Sequence, residues 1–259
     1  GDAGRSVKVM SFNLRSASSN DPGENSWTSR RPAVKAMLAA QSPLVMGTQE
    51  CDIIQRKHIL EDDSRYDAIG INLGGPHEDC EECAVFYLKD SVEVLSHKTF
   101  YLSNTPDTPS RLNGTSNYRV CTWGKMRLKN DGKEFYFFNT HLEYSAAQLR
   151  QPEMNIILGK IQEINTEDLP MVLLGDFNCD ETDGIYNGIK NYGFESCRTK
   201  SLVGDSHKTH NGFGGYAQTL DHAFYKGFAG VNKFATDRYK YAGITYISDH
   251  YPIWATLKF

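Results

Sequence analysis

Long hydrophobic runs are missing from this sequence of 259 residues. None approaches the roughly 18 apolar residues that a membrane-spanning helix needs, so we expect no stable insertion into a bilayer. We expect no signal peptide within the sequence as given, which begins with Gly1 rather than Met. The compartment therefore stays open between export (periplasmic or secreted, with the signal removed) and the cytoplasm.

An excess of positive charge is missing as well. The 28 Lys and Arg residues are outnumbered by 32 Asp and Glu residues, which gives a formal net charge of -4. Proteins that bind nucleic acid duplexes tightly are usually basic, because contacts with phosphates supply most of their affinity. The chain therefore lacks the global charge of a protein that binds duplexes tightly, and a few local cations or a metal ion are left to meet a phosphate.

Cysteine is scarce and scattered. The six cysteines lie at positions 51, 80, 83, 121, 179 and 197. This spacing does not resemble a disulfide framework, and a domain of this size does not need one. Cys80 and Cys83 form a single C-x-x-C pair. Because no second Cys or His pair accompanies it, we favour an incidental pair or a hairpin over a zinc site.

The residues that are present predict a packed α/β protein. Hydrophobic residues make up 39% of the chain and no linker divides it, so we predict one domain over residues 1–259. Alternating and helical patterns predict strands at 7–12, 44–48, 84–88, 92–100, 122–128, 134–140, 171–174, 221–225, 231–236 and 253–257, and helices at 30–40, 52–60, 146–165 and 185–192. Several strands follow one another as hairpins. This order predicts two mixed, mainly antiparallel sheets packed face to face with helices outside, and loops at 72–82 and 103–117.

Polar and acidic residues stand where several of these apolar strands end. The stretches are Ser11-Phe12-Asn13, Thr48-Gln49-Glu50, Asn139-Thr140-His141-Leu142, Gly175-Asp176-Phe177-Asn178, Thr219-Leu220-Asp221-His222 and Ser248-Asp249-His250. Each one alone is typical of a turn or a helix cap. A carboxylate just past a buried strand is poorly hydrated, and several that converge on one cation would offset that cost. Their joint occurrence therefore predicts a metal site.

The types of side chain indicate which metal and which chemistry. Asp, Glu and Asn oxygens with few imidazoles favour Mg²⁺, Mn²⁺ or Ca²⁺ over zinc. His141 and His250 add groups that exchange protons near neutral pH. A hard cation, carboxylates and imidazoles together suit the transfer of a phosphoryl group to water.

In this order the motifs resemble those of the endonuclease/exonuclease/phosphatase superfamily, which shares the pancreatic-deoxyribonuclease-like fold. The resemblance runs from Val7 to Leu257, nearly the whole chain. It implies a four-layer α/β/β/α sandwich with the site at one edge of the paired sheets. It also implies a hydrolase of phosphate esters that uses Mg²⁺, with Mn²⁺ as a substitute.

The resemblance implies a role for each residue of the site. Glu50 would be the principal metal ligand, with Asn13 and Asp249 completing or supporting the shell. The implied catalytic residues are His141, Asp176, Asn178, Asp221 and His250. Among them, Asp176 orients or deprotonates the attacking water, Asn178 holds the phosphate or the nucleophile, and His141 donates to the phosphate or the leaving oxygen. His250 binds a phosphate oxygen, and Asp221 fixes the tautomer of His250.

Two further residues are candidates for substrate binding. Arg119 resembles a position at which relatives keep an Arg facing the site, and a guanidinium matches a phosphate with two hydrogen bonds. A structural salt bridge explains Arg119 equally well. Asn211 lies in a loop, 209–213, that flanks the scissile phosphate in relatives, although a plain surface loop is the simpler interpretation of each of its residues. His222 should point away from Asp221, because neighbours on a strand face opposite sides.

The substrate is less clear than the chemistry. The strings around His141 and His250 resemble the carbon-catabolite-repressor-type deadenylases and their small bacterial relatives. We therefore expect a monomeric, 3′–5′ exonuclease-like phosphodiesterase acting on single-stranded nucleic acid. The alternatives are a phosphatase or phosphodiesterase for inositol phosphates, phospholipid head groups or another small phosphoester, and a catalytically silent binding module.

Overall fold

Two six-stranded sheets form the centre of the computed structural model, which describes residues 5–70 and 83–259. The strands are β1 (Ser6–Asn13), β2 (Val45–Gln49), β3 (Tyr66–Ile69), β4 (Val85–Leu88), β5 (Val92–Tyr101), β6 (Val120–Leu128), β7 (Glu134–His141), β8 (Met171–Asp176), β9 (Glu195–Ser196), β10 (Asp221–Lys226), β11 (Gly230–Thr236) and β12 (Ile253–Lys258). The helices are α1 (Trp27–Gln41), α2 (Ile53–Asp62), α3 (Arg150–Ile164), α4 (Ile185–Tyr192) and α5 (Cys197–Lys200).

The strand order shows why the sheets are mixed. The first sheet runs β11-β12-β1-β2-β4-β3 and the second runs β5-β6-β7-β8-β10-β9. Each contains one parallel pair, β1 with β2 and β7 with β8, and the remaining neighbours are antiparallel. A parallel pair needs a crossover connection. Helix α1 joins the first pair and helix α3 joins the second.

Three hydrophobic clusters hold four layers together. In β7, Phe135 and Phe137 pack between the sheets, while Tyr136 and Phe138 pack under helices α3 and α4. A third cluster joins the outer face of the first sheet to α1 and α2. Successive side chains of a strand point to opposite faces, so a strand covered on both sides must be apolar throughout. The predicted four-layer α/β/β/α sandwich is confirmed.

The predicted elements are found, with small differences at their ends. The helix predicted at 146–165 begins at Arg150, because residues 147–149 form a 3₁₀ turn. The turn at Asn130-Asp131-Gly132 joins β6 to β7 as a hairpin. Strands β3 and β9 and helix α5 were not predicted, since two to four residues carry too little periodicity.

Of the two predicted loops, the structure describes one. Residues 103–117 contain neither a helix nor a strand, as predicted. The loop predicted at 72–82 lies outside the described residues, and so does Cys80 of the C-x-x-C pair. Among the residues that the structure describes, no helix is long and apolar enough to cross a bilayer.

Candidate active site

Strand ends from both sheets meet at one edge of the sandwich. In the first sheet Asn13, at the end of β1, lies opposite Gln49 at the end of β2. In the second sheet Asp176, at the end of β8, lies opposite His141 on the parallel strand β7 and opposite Asp221 on the antiparallel strand β10. The strand ends therefore bring together residues as far apart in the chain as Asn13 and Asp221.

Two amide side chains connect the sheets at this edge. Gln49 Nε2 donates to Asn139 Oδ1 at 2.8 Å, and Asn139 Nδ2 donates to the carbonyl of Thr48 at 2.7 Å. The sheets approach so closely here that a Cβ at Gly47 would lie 2.7 Å from the Asn139 side chain. These contacts set the distance between the end of β2 and the end of β7, which carry Glu50 and His141.

Asn13 connects two carboxylates of the site. Its Nδ2 donates to Glu50 Oε2 at 2.6 Å and to Asp176 Oδ2 at 3.0 Å, while its Oδ1 accepts from the backbone N–H of Arg15 at 2.9 Å. Glu50 has a left-handed backbone (φ 55°), and α2 begins soon afterwards with a capping box at Asp52. In this orientation the amide nitrogen of Asn13 faces the two carboxylates and its oxygen faces the backbone of Arg15. Asn13 therefore supports the carboxylates and does not place its oxygen beside them as a metal ligand.

The segment before β12 places Asp249 and His250 beside these groups. Ser248 Oγ donates to the carbonyl of Asn13 at 2.6 Å, which attaches the segment to the end of β1. The backbone N–H groups of Asn211 and Gly212 donate to the carbonyl of Asp249 at 2.8 and 3.1 Å. Ser248 thus attaches this segment to β1, and the backbone hydrogen bonds attach it to the loop that carries Asn211.

His250 and Asp221 form a buried pair. Nδ1 of His250 lies 2.7 Å from Asp221 Oδ2, and the exposed fractions of the two residues are 4% and 1%. Burial lowers the pKa of His250, but the carboxylates of Asp221 and Asp176 outweigh burial and raise that pKa well above its usual value. The other imidazole nitrogen, Nε2, lies 3.6 Å from Asp176 Oδ2. The arrangement holds a cationic imidazole with one nitrogen turned towards the other carboxylates.

Asp176 lies between two imidazoles. His141 Nε2 is 3.3 Å from its Oδ2, and His250 Nε2 approaches the same oxygen. Burial raises the pKa of Asp176, but the positive charges of His141 and His250 outweigh burial and lower it. Burial also lowers the pKa of His141, and Asp176 raises it above the usual value. Asp176 is therefore a carboxylate over the whole range near neutral pH.

A cavity of about 580 Å³ opens at this edge. It is lined by seven residues predicted for the site, namely Glu50, Arg119, His141, Asp176, Asn178, Asp249 and His250. Asn178 is held there by its Nδ2, which donates to the carbonyl of Leu142 at 2.7 Å, and by its backbone N–H, which donates to Asp176 Oδ1 at 3.0 Å. Asp221 lies behind His250, and Asn13 lies beneath Glu50.

The structure separates the two residues predicted to bind substrate. Arg119 lines the cavity and also contacts a buried carboxylate, with its Nε 3.4 Å from Glu143 Oε1. Asn211 is not among the residues that line the cavity. Its Nδ2 donates to the carbonyl of Ser248 at 3.3 Å and its Oδ1 accepts from the N–H of Phe213 at 2.8 Å. The Asn211 side chain therefore shapes the loop and holds it against the segment that carries Asp249.

Several residues that line the cavity were not assigned to the site from the sequence. Arg15 pairs with Asp21 at 2.9 Å and reaches to 3.7 Å from Asp249 Oδ2. His210 has its Nε2 3.8 Å from Asp249 Oδ2 and its ring 4.6 Å from that of His250. Arg15 could have been found from the sequence, because it is a cationic residue only two positions after Asn13. His210 has no local signal beyond its loop. The others are Ser19, Ser116, Asn117, Tyr144, Gln218 and Leu220.

His222 faces away from the cavity, as predicted. Its Nε2 is 2.9 Å from the carbonyl of Cys179 and its Nδ1 is 2.8 Å from Arg198 Nη1. Burial and the charge of Arg198 lower its pKa to about 3. A neutral imidazole packed among Phe177, Tyr186 and Phe224 is part of the core.

The donor set at the cavity fits a divalent cation. Glu50, His141 and Asp176 offer atoms that lie within 4.8 Å of one another, and so do His210, Asp249 and His250. Glu50 and Asp176 both accept a hydrogen bond from the Asn13 amide. This amide is neutral, so it does not balance the negative charges of the two carboxylates. Carboxylate oxygens are preferred by hard cations, and such a cation would offset the desolvation of these groups.

Comparisons with known proteins agree on one family. The model of the endonuclease/exonuclease/phosphatase family matches residues 10–250. A solved endonuclease/exonuclease/phosphatase family protein from Bacteroides thetaiotaomicron is 30% identical, with 99% of this chain and 98% of that chain covered and a TM-score of 0.90. A mannosyl-6-phosphatase from the same organism is 29% identical, with 98% and 100% covered and a TM-score of 0.89. The human Nocturnin catalytic domain is 19% identical, with 97% and 93% covered and a TM-score of 0.75, and this likeness shows the fold alone.

Proposed function

The chain belongs to the endonuclease/exonuclease/phosphatase family of metal-dependent phosphoester hydrolases, and on that premise we propose that it is a phosphatase for a small hydroxylated phosphomonoester such as a hexose 6-phosphate. The observation that carries this proposal is the size and charge of the cavity. The similarity to a mannosyl-6-phosphatase over nearly the whole chain supports the same class of substrate.

The cavity suits a small substrate better than a polymer. Its volume of about 580 Å³ falls within the roughly 300–1,000 Å³ of small-molecule sites. Among the described residues that line it, Arg15 and Arg119 are the cationic ones in addition to histidines, and each contacts a carboxylate, Asp21 and Glu143 respectively. Proteins that hold single-stranded nucleic acid line a groove with unpaired positive charge and stacking aromatics.

The metal is proposed to be Mg²⁺, with Mn²⁺ as a substitute. Glu50 and Asp249 would hold the cation, and Asn13 would support Glu50 through its 2.6 Å hydrogen bond. When bound, such a cation neutralises the charge of the phosphate and polarises its oxygens. Oxygen ligands without thiolates match this hard cation.

The residues of the chain then divide the remaining work. Asp176 stays ionised, so it orients the attacking water and accepts its proton as the new P–O bond forms. The cationic His250 donates through Nε2 to a phosphate oxygen, while its Nδ1–H donates to Asp221 at 2.7 Å, which fixes the orientation of the ring and stabilises its charge. His141, which is partly exposed to the cavity and has a raised pKa, protonates the leaving oxygen as its bond to phosphorus breaks. Asn178 holds the water or the phosphate beside Asp176.

A substrate panel with added Mg²⁺ tests the proposal. It contains hexose 6-phosphates, p-nitrophenyl phosphate, bis-p-nitrophenyl phosphate, inositol phosphates, sphingomyelin, single-stranded RNA and single-stranded and duplex DNA. We expect the highest kcat/KM for a hexose 6-phosphate. The variant Asp176→Asn should release no phosphate and so controls for a contaminating phosphatase. Faster shortening of single-stranded RNA or DNA than release of phosphate from any monoester would overturn the proposal in favour of the exonuclease-like activity predicted from the sequence.

A further inference from the structure

A buried carboxylate with no part in the proposed chemistry lies behind one wall of the cavity. Glu143 is two residues past His141, and its exposed fraction is 0%. Burial raises the pKa of its carboxyl, but hydrogen bonds from Ser145 and Ser116 and the charge of Arg119 outweigh burial and lower that pKa to about 2. Glu143 is therefore an anion in the interior, and a buried anion is costly unless several donors meet it.

The donors to Glu143 come from two loops that line the cavity. From the loop between β5 and β6, the backbone N–H of Ser116 donates to Oε1 at 2.8 Å, and its hydroxyl lies 2.9 Å from both oxygens. From the loop after β7, the N–H and hydroxyl of Ser145 donate to Oε2 at 2.9 and 2.6 Å. One side chain thus joins the loop that carries Arg119 to the loop that carries Tyr144.

Arg119 completes this arrangement. Its Nε lies 3.4 Å from Glu143 Oε1, its Nη2 donates to Ser116 Oγ at 3.2 Å, and its guanidinium lies 6.0 Å from the centre of the Tyr144 ring. Its exposed fraction is only 5%, yet it lines the cavity with His141. A guanidinium that is fixed along one edge keeps its remaining N–H groups in a defined direction, which is what recognition of a phosphate requires.

We propose that Glu143 is a positioning residue, which holds Arg119 in the orientation that binds the phosphate group in the cavity. The inference rests on the proposed function only in that the ligand is a phosphate. Glu143 touches no reacting atom. It acts by neutralising the buried guanidinium and by ordering the two serine-containing loops around it, so that binding of the phosphate does not have to order them.

Binding of inorganic phosphate tests this role without depending on turnover. The dissociation constant of orthophosphate is measured by calorimetry with saturating Mg²⁺ for the wild type, Glu143→Gln, Arg119→Ala and the double variant. Loss of one charged hydrogen-bonding partner should weaken binding about tenfold or more. We expect this for both single variants. We expect the double variant to bind no more weakly than Arg119→Ala, because Glu143 acts through Arg119.

A matched control separates positioning from general destabilisation. Asp63 is also a buried carboxylate with two short contacts to a guanidinium, 2.9 and 2.8 Å from Arg65, and it is not among the residues that line the cavity. Asp63→Asn should lower the melting temperature and leave the dissociation constant of orthophosphate within about twofold of the wild type.

Several results would overturn either the positioning role of Glu143 or the proposed function. The proposal is wrong if Glu143→Gln binds orthophosphate as the wild type does, if its effect multiplies with that of Arg119→Ala, or if the wild type binds no orthophosphate. Should Glu143→Gln not fold, the shorter Glu143→Asp variant replaces it, and unchanged phosphate affinity in that variant overturns the proposal. A wild type whose phosphate affinity depends on Arg119 and on Glu143 behind it, but which hydrolyses no member of the substrate panel, overturns the proposed function alone.

Discussion

Glu153 lends itself to a quantitative test of the interior electrostatics. It lies on α3 with an exposed fraction of 0%, and its Oε1 accepts from the backbone N–H of Glu143 at 2.9 Å. Its Oε2 is buried and has no hydrogen-bond partner among the described residues. Burial raises the pKa of this carboxyl to about 7, with the Glu143 hydrogen bond opposing burial. We predict that Glu153→Gln changes how stability depends on pH.

The magnitude follows from the two states of the carboxyl. Raising its pKa from 4.5 to about 7 corresponds to about 3 kcal/mol, at about 1.4 kcal/mol for each tenfold change in proton affinity. The folded protein binds this proton more tightly than the unfolded chain. The stabilisation is therefore complete below pH 4.5 and is lost as the pH rises to about 7. Gln cannot titrate, so the variant escapes this loss.

Urea denaturation followed by circular dichroism at pH 4.5 and pH 8 measures the effect. Relative to the wild type, Glu153→Gln should gain about 3 kcal/mol of unfolding free energy between the two conditions. Glu93→Gln, at an exposed position of β5, serves as the control and should gain almost nothing. An equal difference between Glu153→Gln and the wild type at both pH values would show that Glu153 ionises normally, and the reasoning would then be refuted.

Three other predictions concern the site and the strands behind it. EDTA should abolish the release of phosphate from p-nitrophenyl phosphate and Mg²⁺ should restore it; a phosphatase assay with undiminished activity in EDTA would contradict metal dependence. Asp221→Asn should lower kcat roughly 10²-fold or more with little change in KM, because it leaves His250 without the carboxylate that orients its ring and stabilises its charge. An unchanged kcat would exclude that role. Gly175→Ala should prevent folding, since a Cβ there would lie 1.9 Å from the Thr140 carbonyl oxygen. Gly159→Ala, where a Cβ meets nothing within 4 Å, should instead keep or raise the melting temperature.

Much of the architecture was predictable because its signals are local. In β7 the alternation of Phe135 and Phe137 with Tyr136 and Phe138 serves two different cores, and such a doubly apolar strand stands out in the sequence. Strand β3 escaped prediction because its central residues are partly exposed and its edge position gives it little hydrophobic contrast. The predicted single domain, monomeric state and compartment stay predictions.

Only part of the candidate site could be predicted, because the roles of some residues depend on tertiary contacts and not on local motifs. Glu50 and His250 belong to short motifs that follow strands, so their convergence could be expected once the fold was predicted. Asn211 could not be judged from its loop, because whether its amide faces the cavity or the backbone depends on the carbonyl of Ser248, to which it donates at 3.3 Å. The role of Asn13 likewise depends on which end of its amide faces the carboxylates.

The sequence by itself determined the order of most strands and helices, the residue types at the strand ends and the family to which they belong. Only the tertiary structure decided that Arg15 approaches Asp249, and that Glu143 joins Ser116 and Ser145 behind Arg119. Periodicity and motif spacing describe neighbours along the chain. Contacts between loops depend instead on strand register, on the distance between the sheets and on which donors compete for a buried carboxylate, and these exist only when the chain is folded.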